Sequence, residues 1–189
     1  MKPLFILLSA IAALHADPGP KLVEAARKQV GVTLSYDPAY VKLSYPDGDI
    51  PRERGVCTDV LIRALRDALS ADLQKLVHED MRANFSAYPK IWNLTRPDRN
   101  IDHRRVPNLR IYFKRRGFEL PPPDAGKHSA FRPGDIVTCT VPPNLPHVMM
   151  VSDRRAENGR PLVIHNIGAG AREEDVLHRF PLTGHYRWK

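Results

Sequence analysis

Cysteine is scarce in this chain: Cys57 and Cys139 are the only two among 189 residues. That excludes a disulfide-framed fold and leaves at most one bridge, whose formation the sequence leaves open. Acidic residues are also short, 21 against 29 lysines and arginines, for a net charge of +8. Such an excess draws a protein toward anionic surfaces such as cell wall or membrane. The arginines form no single stripe interleaved with aromatics, so no nucleic-acid partner is expected.

Long apolar runs are missing beyond the first residues, and no later segment comes near the 18 residues a membrane span needs. The exception, Leu4 to Leu14, follows Lys2 and precedes Leu14-His-Ala16. This pattern predicts an export signal over residues 1–16, a periplasmic or secreted product, and no stable membrane anchor after cleavage. A buried N-terminal helix is the alternative. There are no internal repeats and no linker long enough to divide the chain. A single domain over residues 17–189 is expected.

Proline is plentiful, 18 residues, and clusters in loops. Helical spacing of apolar residues predicts helices over 17–31, 56–70, 72–83 and 106–116. Residues 32–54 and the polar segment 96–105 read as loops. The last third changes period. Residues 134–141, 147–152 and 161–168 read as strands of an antiparallel meander, with 175–179 and 185–188 as two more. Helices first and a sheet afterwards give a one-domain α+β fold.

Cys57 falls where the breaker-rich loop Tyr45-Pro-Asp-Gly-Asp-Ile-Pro gives way to a helix. A thiol in the first helical turn feels the positive end of the dipole, which favours thiolate. The competing interpretation is a small hydrophobe at the edge of a buried stripe. A nucleophilic thiol needs a base and a group that orients the base. His147 and His165 lie on successive strands and become neighbours if those strands pair. The helix start would then pack over both. His78-Glu-Asp lacks the second histidine of a zinc-protease helix. Cys139 shares a strand face with Val137 and Val141, which argues for burial rather than zinc ligation with His147 and His165. No metal and no cofactor is expected.

Several segments in this order resemble the NlpC-type cell-wall peptidases, a branch of the papain-like cysteine hydrolases. Gly-Val-Cys-Thr-Asp-Val-Leu (55–61) is similar to their Asp-Cys-Ser-Gly-Leu-Val. Arg-Pro-Gly-Asp-Ile-Val (132–137) is similar to Pro-Gly-Asp-Leu-Val, Pro-His-Val-Met-Met-Val-Ser-Asp (146–153) to His-Val-Gly-Ile-Tyr-Val-Gly-Asp, and Val-Ile-His-Asn (163–166) to Ile-His-Ala. The whole mature chain also looks like an uncharacterised bacterial family. The resemblance implies a papain-like fold, with N-terminal helices on a C-terminal antiparallel sheet. It implies Cys57 as nucleophile, His147 as base and His165 as orienting group. The Cys57 N–H would be half of an oxyanion hole, with Tyr45 as the second donor, Tyr40 as its fallback, and Asn166 in support.

Two departures bear on the chemistry. Val56 stands where the motif usually has Asp, and Asp59 where it has Gly. A carboxylate two residues from the thiol disfavours thiolate unless it is paired or faces away. The roughly 90 residues between Cys57 and His147 also exceed what compact members of that superfamily use. Residues 72–125 are therefore taken as an insertion that shapes a substrate groove. Asp102, His103, Arg104 and Arg105 are read as a groove wall whose arginines bind substrate carboxylates, or else as a salt-bridged loop.

Together these features predict an exported cysteine hydrolase that cleaves amide bonds in peptidoglycan or another cell-envelope peptide. An acyl- or amide-transfer enzyme on the same fold is one alternative. A non-catalytic wall-binding module with a Cys57–Cys139 disulfide is the other.

Overall fold

The computed structural model describes residues 16–121 and 127–189. The leader assigned to residues 1–16 lies outside the described residues except for Ala16. Among the described residues no helix is long and apolar enough to cross a membrane. The chain is α+β: α1 (Gly19–Arg27), β1 (Ser35–Tyr36), β2 (Arg54–Gly55), α2 (Cys57–Leu69), α3 (Leu73–Asn84), α4 (Val106–Arg115), and then β3 (Ile136–Val141), β4 (Leu145–Arg155), β5 (Pro161–Asn166), β6 (Ala171–Glu174) and β7 (Leu182–Tyr186).

The helix ends follow from local chemistry. Asp59, in the first turn of α2, accepts the Val56 N–H through Oδ2 at 2.7 Å, which satisfies one orphan donor of the helix start. Ser70 ends α2 in the left-handed region at φ 54°. Asp72 then caps α3 by accepting from the amides of Gln74 and Lys75. Pro107 sits in the first turn of α4, where its missing N–H costs nothing.

Strands β3 to β6 form the expected antiparallel meander, and β7 returns beside β3, giving the order β6-β5-β4-β3-β7. The short β1 pairs in parallel with β2 and forms a separate two-stranded ribbon just before Cys57. Each face of the large sheet is buried. One carries Ile136, Val148, Met150 and Ile164 against α1, α2 and α4, with α3 packed behind on α2 and α4. The other carries Val137, Cys139, Met149, Val151 and Val163 under Phe131 and Leu177.

Three expectations change. The fourth strand is Ala171–Glu174, not 175–179. Its Ala-Arg-Glu-Glu sequence carries the charges of an edge strand, which hides its pairing with β5. Residues 96–101 are the expected surface loop, but Asp102, His103 and Arg104 are buried in a 3-10 turn. Nor is 72–125 a separable insertion. Leu73, Val77, Met81, Leu109 and Phe113 belong to the same core cluster as Cys57, Leu61 and Leu65.

Candidate functional site

Cys57 opens α2 and is 5% exposed. Its side chain packs among Val60, Leu61, Val148, Met150 and Ile164. The Val148 and Thr58 amides lie near enough to the sulfur to favour its charged form. The thiol therefore lies against the peptide joining His147 to Val148, at the start of β4. Cys139 belongs to the cluster on the opposite face of the sheet, and both cysteines are free. The Cys57–Cys139 disulfide is thereby ruled out in this structure.

The helix-start argument for a thiolate does not prevail. A dipole at a helix end is worth about 0.3–1 kcal/mol, which is less than one pKa unit. Burial outweighs it and, with smaller contributions from Asp59 and Cys139, pushes the thiol from 9.0 up to about 12 against the pull of the Val148 amide.

His147 and His165 meet as expected. His147 Nε2 and His165 Nδ1 are 2.8 Å apart, and both residues are buried. A third member was not foreseen. His165 Nε2 lies 3.2 Å from Glu174 Oε2. This contact fixes the proton positions. The Glu174 carboxylate accepts only, so His165 carries its proton on Nε2 and presents a lone pair at Nδ1. His147 must then donate from Nε2. Its Nδ1 is left as a lone pair with no protein partner among the described residues, which is the form a general base requires. Burial and the neighbouring His165 hold the His147 imidazolium down, to about 3. Burial lowers His165 as well, partly offset by Glu174.

The thiol and the imidazoles do not stack as the sequence implied. The β3–β4 register places His147 opposite Cys139, so it leaves the strand on the side of Met149. Helix α2 covers the alternate residues Val148 and Met150. No hydrogen bond joins the Cys57 thiol to either histidine among the described residues. Neutral thiol and neutral imidazole are the resting forms. Alkylation should report this: the rate of Cys57 modification by iodoacetamide, followed by peptide mapping, is expected to climb about tenfold per pH unit from pH 7 to 10 without levelling near 9. A rate that is flat between pH 5 and 7 would instead mean a standing thiolate–imidazolium pair.

A cleft of about 290 Å³ opens on Cys57. Its walls include Tyr36, Trp92, Arg104, Arg105, Val106 and Pro146. Part of the 72–125 segment therefore does form a groove wall, although the same segment also builds the core. Tyr36, and not Tyr45, is the tyrosine that lines this cleft. Burial, Cys57 and Asp59 push its hydroxyl up to about 12, so it stays a protonated donor. Tyr45 instead packs on the His78 ring and under the Arg99 guanidinium. The Tyr40 hydroxyl bonds to Asp98 and Asn100. The signal for Tyr36 was its place one strand-pair before the nucleophile, in a ribbon too short to read from sequence.

The Asp-His-Arg-Arg cluster divides. Arg104 is buried and gives two hydrogen bonds to Asp59, from Nε at 3.0 Å and Nη2 at 2.9 Å. It gives two more to the carbonyls of Ala39 and Asp37. Asp59 is thus paired, and four of the five Arg104 N–H donors are taken, leaving one on Nη1. Asp102 accepts from the Asp98 amide and from Arg105, and burial raises its pKa. His103 is buried, and desolvation holds its imidazolium down to about 3. Arg104 and Arg105 both line the cleft, and Arg105 is the one with most of its donors free. Asn166 is a tie rather than an oxyanion donor: its Nδ2 donates to the carbonyls of Ser35 and Gly55, binding β5 to both strands of the small ribbon. Among the described residues no group of three or more His, Cys, Asp or Glu side chains could hold a metal ion. The zinc alternative of Cys139, His147 and His165 has no geometry behind it.

The chain belongs to the family described as "Domain of unknown function (DUF1287)", which matches residues 23–188. It is 53% identical over 178 residues to "Uncharacterized protein YijF" of Escherichia coli (strain K12), an alignment that covers 94% of this chain and 85% of that protein. No solved structure matches the chain.

Proposed function

We propose that this protein is a cysteine hydrolase acting on amide bonds of cell-envelope peptides, in the manner of the NlpC-type peptidases its motifs resemble. The observation that carries the proposal is the hydrogen-bonded line Glu174–His165–His147. Its free Nδ1 ends on the residue whose following amide lies beside the Cys57 thiol. Two buried imidazoles bonded to each other and to a half-exposed carboxylate are costly to keep as mere packing. This is the arrangement a nucleophile's base needs.

Because the thiol is held neutral, its proton leaves as the sulfur attacks. The proton passes to His147 Nδ1, which requires the thiol to swing from the α2 side of β4 toward the imidazole when substrate binds, while sulfur bonds to the scissile carbonyl carbon. The resulting oxyanion is met by the Cys57 N–H and the Tyr36 hydroxyl. Collapse expels the amine, which receives the proton from His147, and leaves a thioester on Cys57. Water, deprotonated by His147, then releases the acid and restores the thiol. Glu174 stabilises the charged intermediate through His165. A transferase differs only in the last acceptor, an amine or hydroxyl in place of water. The wall-binding alternative loses its disulfide. Net basicity fits an anionic wall substrate, and export follows from the leader motif.

The test is digestion of purified muropeptides by the wild-type protein and Cys57→Ala, read by mass spectrometry. The wild type should shorten peptide stems and Cys57→Ala should not. Equal products from both would end the proposal.

A further inference from the structure

The cleft beside Cys57 contains a second recognition element that the cysteine chemistry does not use. The Arg105 guanidinium lies 4.1 Å from the centroid of the Trp92 ring. Its one hydrogen bond to a side chain runs from Nη1 to Asp102 at 3.2 Å. The stack and this single tether hold the planar fork in one orientation. Its remaining N–H donors have no protein partner among the described residues, and the residue lines the cleft. The neighbouring Arg104 makes the contrast: four of its five donors go to Asp59, Asp37 and Ala39. Around the Arg105 fork the wall is apolar, from Trp92, Ile91, Ile101, Val106 and Pro107.

We propose that Arg105 and Trp92 form a binding site for a free carboxylate next to an apolar or aromatic side chain, and that this site selects the substrate. A fixed guanidinium edge matches a carboxylate with two parallel hydrogen bonds. Asp102 behind it holds the fork in place, and the apolar wall accepts the side chain that accompanies the carboxylate. The cleft, at about 290 Å³, is at the small end for ligand sites. It takes one or two residues rather than an extended chain. The substrate class that follows is a short peptide or acyl-amino acid whose scissile amide lies close to a free carboxylate. This assignment of substrate rests on the hydrolase reading; the binding site itself does not.

Direct binding separates the two. Trp92 and Trp188 are the two tryptophans, so full-length protein carrying Cys57→Ala and Trp188→Phe reports Trp92 alone and turns nothing over. Titration with N-acetyl-phenylalanine should change Trp92 emission, with affinity about 10- to 100-fold above that for N-acetyl-phenylalaninamide. Arg105→Met should abolish that preference. Arg105→Lys should restore only part of it, because the fork is lost. Equal binding of acid and amide, or binding of neither, would overturn the site. Selective binding of the acid by a protein that digests no peptide would keep the site and overturn the hydrolase.

Discussion

Replacing Arg104 by methionine should lower the melting temperature by about 6–20 °C. Asp59 and Arg104 are a buried pair, 4% and 3% exposed at the side chain. Removing one partner of a buried pair costs about 3–5 kcal/mol. In a chain of this size each kcal/mol moves the midpoint by about 2–4 °C. The loss has three physical parts. The Asp59 carboxylate would be left without its cation, and the carbonyls of Asp37 and Ala39 would lose their donor. The hold of the 3-10 turn on the start of α2 would also weaken. Asp59→Asn combined with Arg104→Met should cost less than Arg104→Met alone, since no unpaired charge remains. Thermal unfolding followed by circular dichroism measures both. A midpoint within 2 °C of wild type for the single variant would show that the pair contributes nothing. The same pair acts on the nucleophile, because Asp59 is one of the groups that raise the Cys57 pKa. Asp59→Asn should therefore speed alkylation of Cys57.

The second large effect is on rate. His147→Ala should lower peptide cleavage by about 10²- to 10⁴-fold, the usual worth of a positioned general base. His165→Ala should cost nearly as much, because it frees the His147 ring and its tautomer together. Combining the two should cost little more than either alone, as expected of residues that act as a unit. Glu174→Gln should cost far less, since the amide oxygen can still accept the His165 proton. The acid limb of the pH profile carries a separate signature. His147 remains a neutral base down to about pH 3, so cleavage should persist below pH 5. A base at the ordinary histidine value of 6.5 would already be protonated there. Steady-state rates on one purified muropeptide across pH 4–9 give both results. A falling limb centred near 6.5 would remove His147 from the role of base.

Much of the fold is legible in the chain because its signals are local. Apolar spacing marks α2, and Asp72 marks the start of α3. The alternation around His147 and His165 reveals two neighbouring strands. The features that were missed depend on pairing across long stretches of sequence. β6 has no strand pattern of its own, so the sequence reading places that strand at 175–179; only its partner β5 makes 171–174 a strand. Arg104 looks like one more surface arginine until Asp59, 45 residues away, is seen beside it. The spare length between Cys57 and His147 makes 72–125 read as an insertion, whereas Leu73, Val77, Leu109 and Phe113 tie it to the core. At the site, Cys57, His147 and His165 follow from motif order. Tyr36 and Glu174 do not, because each gains its place from a short strand that has no pattern of its own. The dipole argument for a reactive thiol failed because it weighed the helix end without the burial.

The central claim is that Cys57 takes the acyl group. The muropeptide digest tests it most directly when it is quenched in acid, which preserves thioesters, and the protein is then mapped by peptide mass spectrometry. The account predicts an acyl fragment of the muropeptide stem on the peptide containing Cys57, discharged by hydroxylamine and missing in Cys57→Ala. Cleavage products without any acyl group on Cys57, or the same products from Cys57→Ala, would contradict it.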